Sequence, residues 1–489
     1  MLASDTPCNW HAVAQEFQAI VGASGILNTP EELSVYECDG LASYRVRPSL
    51  VVLPRTTAEV AALVQVCDRN HIPFIARGSG TGLSGGALPT AGSVLIVTSR
   101  MNRILRVDLD NQQVVVQPGV INAWVTQAVS QAGLYYAPDP SSQIICSIGG
   151  NIAENSGGVH CLKYGVTTNH VLGMKVVLPN GEVLDFGGSV PEQPGYDLTG
   201  IFVGSEGTLG IATEITLRVL KTPEAIEVLL ADFTTVEAAG ATVADIIGAG
   251  IIPAGMEIMD NLSINAVEDV VATQCYPRDA ASVLLVELDG LDVEVAVSRD
   301  RVRAICQQNG ARQVTIATAP EDRLKLWKGR KAAFAAAGKL SPNYFVQDGV
   351  IPRTQLVSVL HDIEALSQTY GYRIANVFHA GDGNLHPLIL YDESVPGALE
   401  KVEILGGEIL KLCVRAGGSI SGEHGIGADK RCFMPDMFTA ADLETMQWVR
   451  HVFNPKELAN PEKIFPTPRT CGEGAHTHLH AELGGAQLF

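Results

Sequence analysis

The sequence predicts an α+β fold in two domains, and three observations carry that prediction. A β-α-β opening runs into successive glycine-rich loops within residues 42–222. After Pro223 the chain alternates strand and helix in the manner of a ferredoxin-like sheet. Helical patterns then flank two short polar, glycine-rich stretches before the C-terminus. At 489 residues the chain exceeds one ordinary core. The division expected is an N-terminal helical segment at 1–41, a first domain at 42–222, a second at 223–466 with C-terminal helices, and a disordered tail at 467–489.

Charge and composition narrow the function. A net charge of −19 argues against a nucleic-acid or anionic-membrane surface. A small anionic substrate stays compatible, because a local arginine or metal outweighs a distant field. No run of 18 apolar residues occurs, and the start has neither a basic n-region nor an apolar core. Neither a spanning helix nor a secretory signal is therefore expected, and the cytoplasm is the expected location. The ten cysteines stand singly with no C-x-x-C, which reads as reduced thiols without an iron–sulfur motif. Electrons leaving singly through clusters would need another chain.

In the first domain, residues 49–53 read as a strand. Thr56 to Glu59 forms a capping box that opens a helix to about residue 70, and 72–76 is a second strand. Arg77, Gly78, Ser79, Gly80, Thr81 and Gly82 then begin the loop RGSGTGLSGG. Gly80, Gly82 and Gly85 satisfy G-x-G-x-x-G, but a dinucleotide site needs a helix to start inside that loop. Residues 94–98 read as a strand instead, so nicotinamide binding is rejected and the loop reads as a nest of N–H groups for a pyrophosphate. Strands at 104–108 and 114–117 and a helix at 121–132 follow. Pro138 and Asp139 lie in one further stretch of small residues, and Ser147, Gly150, Asn151, Asn155 and Gly157 in another. Such density lets a planar ring lie against the backbone, with N–H and amide groups at its polar edge. Residues 171–178 and 182–186 make a hairpin about Asn180-Gly181. Gly207 to Ile211 then closes a last glycine loop before the strand 214–219.

In the second domain, strands are expected at 226–232, 282–288 and 314–318, with helices at 236–248 and 293–309. A basic helical stretch, RLKLWKGRK, occupies 323–331. The stretch VFHAGDGNLHPLILY at 377–391 is an apolar run with a polar tip. Taking Asp382-Gly383 as a two-residue turn places His379 opposite His386, with Cβ atoms roughly 4.5–5.5 Å apart. Two imidazoles so placed can share one metal ion. After a helix at 397–416, GGSISGEHGIG at 417–427 offers Glu423 and His424, and a helix at 441–451 follows. Two histidines and a glutamate are a common set for a catalytic divalent site with an open position, leaving His424 free as a base.

HAGDGNLH and GGSISGEHGIG resemble signatures of the FAD-linked 2-hydroxy acid dehydrogenases, a family that includes the FAD-binding subunits of bacterial glycolate dehydrogenase (glycolate oxidase) and FAD-linked D-lactate dehydrogenases. The likeness runs from about residue 30 to 465. It implies a vanillyl-alcohol oxidase-type FAD domain whose glycine loops hold the cofactor, together with Asn460. FAD is expected to be non-covalent, since no histidine stands between Arg77 and Gly86. The family ending usually has glycine where Glu462 stands. The resemblance also implies a divalent Zn, Mn or Fe on His379, His386 and Glu423, with Arg330 on the substrate carboxylate, Asn384 orienting the substrate and His424 taking the hydroxyl proton. Flavin N5 would receive the hydride from glycolate or D-lactate, and an acceptor other than NAD would take the electrons. An iron–sulfur subunit is the expected partner, with a second FAD subunit in some complexes. No cation stands at 345–347 before Asp348, which favours monocarboxylates. Two readings from other classes compete: a redox-neutral flavin transferase on the same FAD fold, and a non-catalytic electron-transfer subunit. His160 is expected to be structural, and His476, His478 and His480 to be solvated.

Overall fold

A computed structural model describes residues 8–190, 194–467 and 471. His476, His478 and His480 lie outside the described residues.

The first domain is built on two sheets. Leu50–Val52, Val94–Val97 and Phe74–Arg77 pair in parallel, with Ile26–Leu27 antiparallel at one edge. Parallel strands need a crossover, and the helix Thr57–Asn70 supplies it. Thr56 caps it by accepting from the Glu59 N–H at 3.2 Å, and it buries Val60, Leu63 and Val64 against Phe74, Val94 and Ile96. A strand, Val94–Val97, follows the first glycine loop, as the rejection of a dinucleotide site requires. The second sheet runs Ile104–Asp108, Gln113–Val116, Ile211–Arg218, Val171–Val177, Val183–Gly187, all antiparallel.

One stretch of small residues expected as loop is a helix, Ile148–Glu154. Ser147 caps it, and Ile148 and Ile152 are fully packed beneath the second sheet. Burial of those two side chains outweighs the poor helix propensity of two adjacent glycines.

The second domain holds a seven-stranded sheet in the order Gln313–Ala317, Ala225–Phe233, Ser282–Gly290, Gly255–Asp260, Ile374–His379, Pro387–Tyr391, Asn343–Val346. Its first four strands have the ferredoxin-like order, extended by a second unit. Gly255–Asp260 went unrecognised in the sequence, yet it is buried along its length. It pairs with Ser282–Gly290 on one side and Ile374–His379 on the other, joining the two units.

The hairpin differs from expectation. Asn376 pairs with Pro387, and His379 bridges Asn384, so four residues, Ala380 to Gly383, make the loop. Only Gly383 takes a left-handed φ, +79°, and its carbonyl accepts from Ile351 N at 3.0 Å, so the tip is shaped by the segment packed against it. His386 therefore sits diagonal to His379. A register change of two residues keeps both on one face.

Two further differences concern the C-terminal part. Leu458 and Ala459, expected in the second domain, pack into the core of the first. There Phe74 N donates to Leu458 O at 2.9 Å and Asn460 N to Phe74 O at 2.8 Å. Cys432 and Cys471 form a disulfide, where all ten cysteines had been read as reduced thiols. A separation of 39 residues hides the pair from any motif, whereas folding brings the Cα atoms to 5.3 Å.

Candidate active site

A cavity of about 630 Å³ opens between the domains. Arg77, Gly78, Ser79, Gly80, Thr81 and Gly82 form one wall with Ser147, Gly150, Asn151, Gly207 and Ile211; Lys331, Phe334, Tyr344, His386, Glu423 and His424 face them. Glycine is required at two places in the first wall. A Cβ on Gly78 would collide with Ser147 Oγ, and Gly80, at φ +69°, would strike the Arg77 guanidinium. Arg77 is itself anchored by donating to Cys38 O at 2.7 Å.

Several residues expected at the cofactor do not line this cavity, because their polar atoms are engaged elsewhere. Pro138 is buried with its carbonyl accepting from Asn122 Nδ2 at 3.1 Å. Asp139 holds His160, with Oδ1 accepting from the backbone N–H at 3.2 Å and Oδ2 3.0 Å from Nδ1. Asn155 Oδ1 accepts from Thr168 N at 2.9 Å. Gly157 makes room for Glu423, since a Cβ there would lie 2.8 Å from Glu423 Oε2. Asn460 Nδ2 donates to Gly86 O at 2.9 Å and to Glu206 O, pinning two glycine loops together. Glu462 has a φ of +60°, which accounts for the glycine usual at that position in the family resembled.

His379, His386 and Glu423 converge, with ligand atoms all within 4.8 Å of one another. Glu423 Oε1 lies 3.3 Å from Nε2 of both histidines. His379 Nδ1 is 2.7 Å from Glu257 Oε1, the carboxylate–histidine contact that orients a metal-binding imidazole. Both ring nitrogens of His386 are buried without a hydrogen bond. Burial disfavours charge on His379, but Glu257 and Glu423 outweigh it and raise its pKa well above the ordinary value. Glu423 is held well below the usual carboxylate range: burial opposes this, and His379 dominates. This donor set fits a divalent ion.

His424 stacks on His386 with ring centroids 5.0 Å apart and planes at 2°. Burial lowers its pKa to about 4, partly offset by Asp348, so the imidazole is neutral with Nδ1 free of any hydrogen bond. The loop carrying it is fixed by Asp348, whose Oδ2 accepts from Gly422 N, Glu423 N and His424 N at 3.0, 2.9 and 2.7 Å. Burial would raise the Asp348 pKa, but Lys430 outweighs it and holds the group at about 2. Asn384 is buried beside Gly422, where a Cβ would meet its amide at 2.6 Å.

Arg330 is placed differently from expectation. It is 1% exposed, its Nε donates to Glu257 Oε2 at 2.8 Å, and it does not border the cavity. The next residue on the helix Pro320–Ala336, Lys331, is the one that does. Glu257 was missed because its strand was missed; the signal was one acidic residue inside the apolar run GMEIM. Ahead of Asp348, Tyr344 borders the cavity and Phe345 is buried in the core.

Residues 48–187 match the family model of an FAD binding domain, and 222–464 that of the C-terminal domain of FAD linked oxidases. The chain is 51% identical over 455 residues to glycolate oxidase subunit GlcD of Escherichia coli K12, covering 93% of this chain and 91% of that one. It is 32% identical to D-lactate dehydrogenase of Anaerostipes hadrus, covering 89% and 92%. The fold is that of p-cresol methylhydroxylase, with a TM-score of 0.79 at 17% identity over 93% of this chain and 96% of that structure.

Proposed function

Because the chain belongs to the FAD-linked oxidase family, we propose that it oxidises a small 2-hydroxy monocarboxylate, glycolate to glyoxylate or D-lactate to pyruvate. The chain is an FAD-linked oxidoreductase. One observation supports the choice of substrate class: the glycine loops of the FAD binding domain and His386 and Glu423 of the histidine–carboxylate cluster border the same cavity.

FAD supplies the hydride acceptor, and a divalent ion on His379, His386 and Glu423 would supply Lewis acidity toward a hydroxyl and carboxylate. The protein's own residues do the rest. His424, neutral and parallel to His386, is placed to take the hydroxyl proton. Glu257 orients His379 and holds Arg330 in a buried pair outside the cavity. Lys331 borders the cavity as the accessible cation of the same helix. Asn384, with Oδ1 free of any hydrogen bond, orients the substrate from the hairpin tip. Phe345 in the core leaves no cation for a second carboxylate there.

No described helix is long and apolar enough to cross a membrane. The chain works as one subunit of a larger enzyme, by analogy with the relative named a subunit, and passes electrons to an iron–sulfur partner. Adding glycolate or D-lactate without oxygen is expected to bleach the flavin. An unreduced flavin with both substrates would leave the transferase or electron-transfer reading.

A further inference from the structure

Glu154 ends the helix Ile148–Glu154 and borders the cavity, yet no residue described here answers its carboxyl. Its Oε2 is shut off from solvent without a hydrogen-bond partner. The surroundings are backbone: Cβ atoms added to Gly86 or Gly425 would run into its oxygens. Glu206 crowds the same Gly425, with Oε1 3.0 Å from such a Cβ. Two carboxylates packed this closely do not both ionise.

Hydrogen bonds decide which one carries the charge. Glu206 Oε1 accepts from Ile426 N and Oε2 from Gly427 N, each at 2.7 Å. Glu154 has no such donor and sits at the negative end of its helix. The nearby cations are committed elsewhere, Lys430 to Asp348 and Lys463 to Leu88 O. The charge therefore rests on Glu206 and the proton on Glu154. With Oε2 closed off and no donor beside it, the proton stays on the group, and the carboxyl is left to offer its O–H to a ligand in the cavity it borders.

We propose that Glu154 is the acid that donates a hydrogen bond to an acceptor atom on the pyrimidine ring of bound FAD. The dimethylbenzene edge of a flavin offers no acceptor, whereas ring nitrogens and carbonyl oxygens cluster on the pyrimidine side. Negative charge grows on that side as the flavin is reduced, so an O–H donor there favours the reduced form. Glu154 thus sets how readily the flavin takes electrons. This inference rests on the FAD-oxidase reading above.

The test uses FAD-loaded Glu154→Gln and Glu154→Leu proteins reduced with dithionite, which needs no substrate. Glutamine keeps a donor and is expected to hold the wild-type potential and FAD affinity. Leucine is expected to lower the reduced-to-oxidised ratio at least tenfold at fixed potential, about 30 mV for two electrons, and to weaken FAD binding several-fold. Infrared difference spectra of wild type should show a protonated carboxyl band that Glu154→Gln lacks. Overlapping wild-type and leucine titrations, equal shifts in both variants, or absence of that band would each overturn the proposal. Should the leucine variant not fold, the band and the glutamine potential decide. Failure of glycolate and D-lactate to bleach the flavin would count against the function alone, because the potential is read without them.

Discussion

Glu257 is 0% exposed and faces His379 on one side and Arg330 on the other. Glu257→Gln leaves the Arg330 guanidinium buried without its counter-charge, at a cost of about 3–5 kcal/mol. It also frees the His379 ring, which should weaken metal binding by roughly 10–100-fold. Metal analysis and thermal melting read the two effects separately, and FAD content should not change. His170 makes a pH prediction away from that centre. It is fully buried, donates from Nε2 to Tyr164 O at 2.9 Å and leaves Nδ1 unpartnered. Burial lowers its folded pKa to about 4, against an unfolded value of about 6.5. A base with a depressed folded pKa contributes stability above the unfolded pKa and loses it as pH falls from about 6.5 toward 4. Between pH 7 and 5 wild type should lose about 2 kcal/mol that His170→Asn does not lose. Urea melts at the two pH values measure the difference.

Among the elements, the strand Gly255–Asp260 and the hairpin beside it place His379 and His386 of the histidine–carboxylate cluster. The strand brings Glu257 level with His379, and the four-residue loop turns Asn384 under Gly422. Gly383 is the constraint on that loop. Its φ is +79°, and a Cβ would overlap Ile351 O. Gly383→Ala should cost about 1–3 kcal/mol from the backbone alone and lower metal occupancy further by moving His379 and His386 apart. Metal and FAD content of the purified variant test this: loss of FAD with metal retained would show that the loop serves the wrong site.

At the scale of the molecule, the domains are tied by buried charge and by the returning chain. His160 lies between Asp139 of the first domain and Glu287 of the second, 3.0 and 2.8 Å away, so the histidine expected to be structural joins the two. The C-terminal segment returns to the first domain and carries the Cys432–Cys471 bond. Denatured, unreduced protein should titrate with eight thiols, rising to ten after reduction. Closing a 39-residue loop contributes about 4 kcal/mol in the chain-entropy view, so dithiothreitol should lower the denaturation midpoint. A count of ten before reduction would restore the reading of reduced thiols.

Local chemistry made much of this legible in the sequence. Thr56 announces its helix, the strand after the first glycine loop excludes a dinucleotide helix, and two short motifs carry His379, His386, Glu423 and His424, which folding brings together. Each of those signals is read from one or two short motifs. The tertiary structure alone decided the partners of those residues. Glu257 meets His379 across 122 positions, Glu206 meets Ile426 across 220, and Asp348 meets Lys430 across 82. Buried carboxylates acquire their charge state from such distant contacts, because a low-dielectric site is governed by which N–H or cation folding delivers. The placement of Arg330 was decided in the same way, by a strand whose Glu257 is buried in the core.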